Sequence, residues 1–201
     1  MKFKLFLISI FIGVLLWSGI NPKDYFTWFL EVLPAILGLI ILSLTHKRFQ
    51  FTHLLNVLIL IHCIILMVGG HYTYAEVPLF DWIKETFNLS RNNYDKVGHF
   101  AQGFVPVMIT REIFIRTQVV QVKAWQNFIL VCIVMAISVT YEFIEWFVAE
   151  MTGESAEAFL GTQGYIWDTQ ADMLYATIGA ITALISLSHL HNALLYNLNK
   201  S

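Results

Sequence analysis

Charged side chains are scarce in this 201-residue chain: they make up 13% of it, about half of the roughly 25% that soluble domains carry. A soluble globule of this size could not cover its surface with so few. A basic excess is missing too. Twelve lysines and arginines against 14 acids leave a net charge of −2, which excludes a general nucleic-acid-binding surface. Cysteine is limited to Cys63 and Cys132, both inside apolar runs where they act as small hydrophobes, so no disulfide framework is implied. Hydrophobicity is what the chain has in abundance: 57% of residues are hydrophobic, 15% aromatic, and the mean hydropathy is +0.65. Disorder and collagen are excluded by the same composition. An all-α polytopic membrane bundle is what remains.

A helical span needs about 20 mostly apolar residues. Six stretches come close, at about 3–20, 28–44, 51–70, 97–115, 125–149 and 168–190, and together they make the chain a single integral membrane domain. The second contains Pro34, and the fourth is interrupted by Pro106, Arg111 and Glu112. Lys2 and Lys4 ahead of an apolar run resemble a signal peptide. No small-x-small cleavage pattern follows, so an uncleaved first helix is expected. Residues 71–96 carry apolar side chains at 79, 80, 82, 83 and 87, spaced for a short helix in the headgroup layer or for a packed outer loop. Residues 150–167 hold Glu150, Glu154, Glu157 and three glycines (153, 161 and 164) without a basic residue.

Charge asymmetry orients the bundle. With six spans and both termini cytoplasmic, the inner segments hold Lys2, Lys4, Lys47, Arg48, Arg111, Arg116, Lys123 and Lys200, whereas the outer ones hold Lys23, Lys84, Arg91 and Lys96. Thirteen of the 14 acids fall in the outer half, Glu112 being the exception. Acidic residues do little to set topology, so this bias calls for another cause.

The cause lies in where polar residues converge. Ionisable groups within membrane helices cost about 2.5–3.5 kcal/mol each at mid-depth. Asp95, His99, Gln102 and Pro106 share one face of the fourth helix, Glu142 and Glu145 are i, i+3 neighbours near the end of the fifth, and Asp168 and Asp172 are i, i+4 neighbours opening the sixth. With short loops all three stripes reach the outer face. Glu142 and Asp172 then lie roughly 6–8 Å inward of Trp146 and Trp167, at 1.5 Å per residue. Packed together these carboxylates repel, and Lys96 and Arg91 are the only nearby bases. A divalent cation is the economical solution: His with Asp or Glu suits Zn²⁺, and all-oxygen sets suit Mg²⁺. The expected ligands are His99, Glu142, Glu145, Asp168 and Asp172. Glu142, His99 and Asp172 are the candidates for catalysis, and Asp95, Lys96, Gln102 and His71 support them. Bland alternatives exist: Asp168 suits a helix cap, and carboxylates at helix ends are often simply solvated. Ala176, Gly179, Ala180 and Ala183 form a close-packing stripe.

The segments Asn93-Tyr94-Asp95-Lys96-Val97-Gly98-His99-Phe100, Tyr141-Glu142-Phe143-Ile144-Glu145-Trp146 and Trp167-Asp168-Thr169-Gln170-Ala171-Asp172-Met173, followed by Gly179, resemble the YjdF-like family of bacterial inner-membrane proteins, whose function is uncharacterised. A looser similarity runs to VanZ-like membrane proteins, associated with glycopeptide-antibiotic tolerance, which show Asp-Lys-x-x-His-Phe, Glu-x-x-Gln and Asp-x-x-x-Asn patterns. Here Glu145 and Asp172 stand where those have Gln and Asn, which makes this site more acidic. The resemblance implies a multi-pass inner-membrane protein and supplies no catalytic assignment. Three functions remain open: an enzyme acting on envelope lipid or a lipid-linked substrate, an ion-pathway component, and a non-catalytic subunit whose stripes are helix–helix glue. An enzyme needs the pocket to stop near the outer face, a carrier needs it to continue inward, and glue needs direct pairing with no cavity.

Overall fold

The computed structural model describes residues 2–152 and 157–198. Gly153 and Glu154 of the connection expected to be an outer loop lie outside the described residues, as does the side chain of Glu157. Among the described residues there are seven helices of more than one turn, a single further turn, and no strand: α1 (Lys2–Ser18), α2 (Tyr25–Thr45), α3 (His53–Tyr72), α4 (Pro78–Thr86), α5 (Tyr94–Thr117), α6 (Lys123–Thr152), α7 (Glu157–Leu160) and α8 (Asp168–Leu198). Four of them, α2, α3, α6 and α8, are long and apolar enough to cross a membrane. The other two long helices fall short for different reasons: α1 has 17 residues, and α5 carries Asp95, Lys96, Arg111, Glu112 and Arg116.

Local chemistry sets the boundaries. Asp24 caps α2 by accepting from the Thr27 amide, and Thr52 caps α3 by accepting from the Leu55 amide. Thr73 and Gln118 end α3 and α5 in the left-handed conformation. Pro106 leaves α5 continuous. The short helix expected in the third-to-fourth connection is present as α4, with Pro78 in its first turn. Leu79, Trp82 and Phe87 point outward, while Phe80 packs edge-on against Tyr94. At its C-terminus α8 runs eight residues beyond the expected Leu190, about two further turns.

Side-chain bonds define two ends of the bundle. At one, Lys4 donates to Gln50, the Thr52 amide donates to Glu112, and Glu112 meets His191. This end collects the starts of α1 and α3 and the last turns of α5 and α8. At the other, Trp28 donates to Ser18, His71 Nδ1 lies 2.9 Å from the Ser18 carbonyl, and Lys96 joins Asp168, while Tyr141 reaches Glu31. The long helices therefore alternate in direction.

One apolar core joins α1, α2 and α3 through Phe11, Val32, Ala35, Leu60 and Met67. A second, made of Leu55, Val107, Met108, Leu130, Val134, Ala176, Ala180 and Ala183, binds α5, α6 and α8 with the start of α3. The closest packing is between α5 and α8. Gly103 lies against the Ala176 backbone and Gly179 against the backbone of Phe100, so close that a Cβ at either would overlap a carbonyl oxygen. The small-residue stripe of α8 thus has a glycine partner on α5, and this seam fixes the first turns of the two helices side by side.

Candidate acidic site at one end of the bundle

Because the α5–α8 seam is so tight, Asp95, Lys96 and His99 face Asp168 and Asp172 across it, all of them buried. Lys96 Nζ donates to Asp168 Oδ1 and Asp172 Oδ1, each at 2.6 Å, and to Asp95 Oδ2 at 3.1 Å. Arg91, from the loop before α5, gives Nη1 to Asp168 at 2.5 Å and Nη2 to the Gly161 carbonyl at 3.1 Å and to Asp95 at 3.4 Å. Asp168 Oδ1 is thus shared by two cations.

His99 is the hinge of the arrangement. Its Nε2 lies 3.3 Å from Asp95 Oδ1 and 3.7 Å from Asp172 Oδ1. On the opposite edge of the ring, Nδ1 lies 3.3 Å from Gln102 Oε1 and 3.9 Å from Glu142 Oε1. A proton on Nδ1 donated to Gln102 leaves the Nε2 lone pair facing the two aspartates, the tautomer that a metal-bound imidazole requires. The ligand atoms of Asp95, His99 and Asp172 all lie within 4.8 Å of one another. Neighbouring ligands on a tetrahedral Zn²⁺ at about 2.0 Å sit about 3.3 Å apart, so small movements would bring this trio onto one ion.

Glu142 and Glu145 complete the acidic wall from α6. Both are buried, and Glu142 Oε1 has no hydrogen-bond partner among the described residues; neither does Ser138 Oγ, one turn below. A cavity of about 180 Å³ opens beside them, bounded by Asp95, His99, Gln102 and Glu145 and by two residues from outside the expected set, Glu31 and Tyr141. Its lining reaches inward to His62 and Pro106. Tyr141 donates to Glu31 at 3.2 Å. Tyr74 packs into slots left by Gly69 and Gly98, where a Cβ would meet its ring.

The structure therefore gathers most of the expected residues but redistributes their positions. Asp95, expected to orient His99, stands in the ligand-like trio; Asp168, expected as a ligand, is held by Lys96 and Arg91. Glu145 lines the cavity, whereas Glu142 stands 3.9 Å from His99 Nδ1 without lining it. His71 is elsewhere: it bonds the Ser18 carbonyl and stacks against Trp17, because its edge of α3 faces α1. Glu31 went unused in the sequence although a lone carboxylate in the apolar window Tyr25–Thr45 is itself a signal. Direct carboxylate–lysine pairing and a retained cavity coexist, so neither pure glue nor an open site describes this end.

An all-helical bundle with four span-length apolar helices and ionisable groups buried at one end is an integral membrane protein. The comparisons agree. Residues 3–193 match the family described as "Predicted membrane protein (DUF2238)". The chain is also 47% identical over 178 residues to the inner membrane protein YjdF of Escherichia coli (strain K12), covering 89% of this chain and 85% of that protein. It belongs to this family and is a protein of the bacterial inner membrane. No solved structure matches it.

Proposed function

We propose that the acidic end is a divalent-cation site near the outer membrane face, with Asp95, His99 and Asp172 as ligands, and that it acts on an envelope lipid or lipid-linked substrate. The charge balance carries this reading. Glu31, Asp95, Glu142, Glu145, Asp168 and Asp172 are buried together, whereas Arg91 and Lys96 are the permanent cations among them. Even a protonated His99 leaves a deficit, and an uncompensated buried charge costs several kcal/mol. Protons or a cation must make up the difference. The trio's geometry and the unpartnered Glu142 oxygen favour a cation. In the ion-bound site His99, Asp95 and Asp172 would hold a Lewis acid able to polarise a phosphoryl or carbonyl oxygen. Glu142, with a free oxygen beside the ring, is placed to take a proton from water.

Six spans with both termini cytoplasmic fit the alternating helix directions. The end opposite the acidic site carries Lys2, Lys4, Lys47, Arg48, Arg111, Arg116 and Lys123, as a cytoplasmic face should. A pocket is favoured over an ion pathway because the cavity's lining stops at His62 and Pro106, about midway along α3 and α5. Metal analysis of the purified protein tests the reading. Wild type should carry close to one equivalent of a divalent ion, and a His99→Ala, Asp172→Asn variant close to none. Equal, near-zero metal in both would remove the cation from the site.

A further inference from the structure

A second, larger cavity lies at the opposite end, between α1, the end of α2 and the start of α3, with a volume of about 700 Å³. That is within the roughly 300–1,000 Å³ typical of ligand pockets. Its walls are of two kinds. Deep in the bundle they are apolar, with Phe11, Leu39, Leu60 and Cys63. At the rim stand Lys4, His46 and His53, and among the described residues lining it there is no Asp or Glu. From His53 to Cys63 the α3 wall descends ten residues, about 15 Å. Lys47 and Arg48 sit in the turn beside the rim, and Arg116 lies 3.8 Å above the ring of Phe49, another wall residue.

We infer that this crevice binds an anionic glycerophospholipid of the surrounding bilayer, with an acyl chain between α1, α2 and α3 and the headgroup phosphate at Lys4, His46 and His53. Charge complementarity selects the occupant. A basic rim without a carboxylate repels nothing in a phosphate, and basic pockets between membrane helices on the cytoplasmic side are where anionic headgroups dock. Lys4 is half-buried and held by Gln50 at 2.9 Å, so its ammonium is already positioned over the mouth. The apolar depth explains why the site should take a lipid and not a free phosphate. This crevice shares no residue with the acidic pocket, and the inference stands whether or not that pocket binds metal.

Native mass spectrometry of the delipidated full chain, titrated in detergent with dioleoyl-phosphatidylglycerol or dioleoyl-phosphatidylethanolamine, tests it. The phosphatidylglycerol adduct should form at about tenfold lower lipid concentration than the phosphatidylethanolamine adduct. Lys4→Gln should shrink that preference about fivefold, the effect of one cation near an anionic surface. Ser43, an exposed wall residue of α2 whose hydroxyl bonds only within its own helix, permits a steric block: Ser43→Phe should abolish the adduct while melting as the wild type does. Equal retention of the two lipids, or a wild-type adduct in Ser43→Phe, would overturn the inference. Lys4→Gln keeps it testable should Ser43→Phe fail to fold.

Discussion

Lys96 offers the sharpest test of how the acidic end is balanced. Its side chain is 8% exposed, and its ammonium donates to three carboxylates at 2.6, 2.6 and 3.1 Å. Lys96→Met keeps the length of the side chain and removes the charge. Asp172 then loses its one lysine or arginine partner among the described residues, while Asp168 and Asp95 keep Arg91. Removing one partner of a buried pair costs about 3–5 kcal/mol. In a chain of this length each kcal/mol moves the melting temperature by about 2–4 °C, so a fall of about 6–20 °C is expected in chelator. The assay is thermal unfolding in detergent followed by tryptophan fluorescence, the chain having six tryptophans. Because Lys96 and a bound cation contend for the same oxygen of Asp172, the variant should bind a divalent ion more tightly than wild type. At a hundred times its dissociation constant the ion returns about 2.7 kcal/mol. Two results would refute the reasoning: melting in chelator within about 2 °C of wild type, or a cation-induced rise no larger than that of the wild type.

The α5–α8 seam and the opposite end make further predictions. Gly103→Ala drives a Cβ into the Ala176 carbonyl and should destabilise by about 1–3 kcal/mol. Gly38→Ala, where nothing lies within 4 Å, should be neutral or gain up to about 1 kcal/mol from helix propensity. A comparison of the two melting curves decides this, and equal midpoints would mean that the seam is looser than described. Glu112→Ala strands donors on Thr52, His191 and Arg116 and should cost about 3–5 kcal/mol, yet leave the metal content unchanged. Loss of metal in that variant would show that the two ends are coupled.

Much of the helix plan was legible because hydropathy and polar convergence are properties of a sequence. Stripes at i, i+3 and i+4 on three helices with short connections had to reach the same end, and Asp95, His99, Glu142, Glu145, Asp168 and Asp172 do. What stayed hidden depends on helix rotation and on contacts between distant segments. That Asp168 meets Arg91 was hidden because Arg91, 77 residues before it, reaches it from a loop whose path no periodicity records. His71 was assigned by depth alone, and depth does not say that α3 turns that edge towards α1. Gly103, the glycine opposite Ala176, could not be paired with it from the sequence, since a missing side chain signals close approach without naming the neighbour.

The two buried polar clusters invite the same description, but their hydrogen-bond accounts differ. At the opposite end Glu112 is fully buried and receives the Thr52 amide and hydroxyl, His191 Nε2 and Arg116. Arg111 Nη1 lies 2.7 Å from His191 Nδ1. Arginine can only donate, so Nδ1 accepts and the ring proton sits on Nε2, pointing at Glu112. Each of these polar groups has a partner of the right kind, and α3, α5 and α8 are tied together as a result. At the acidic end the burial is similar and the account does not close, because among the described residues Glu142 Oε1 and Arg91 Nε have no partner and acids outnumber bases. A clamp needs closure, since an unpaired buried group only weakens it. Unfilled capacity beside a cavity is what a ligand requires. That difference, more than the number of acids, is the reason to treat one end as structural and to look for chemistry at the other.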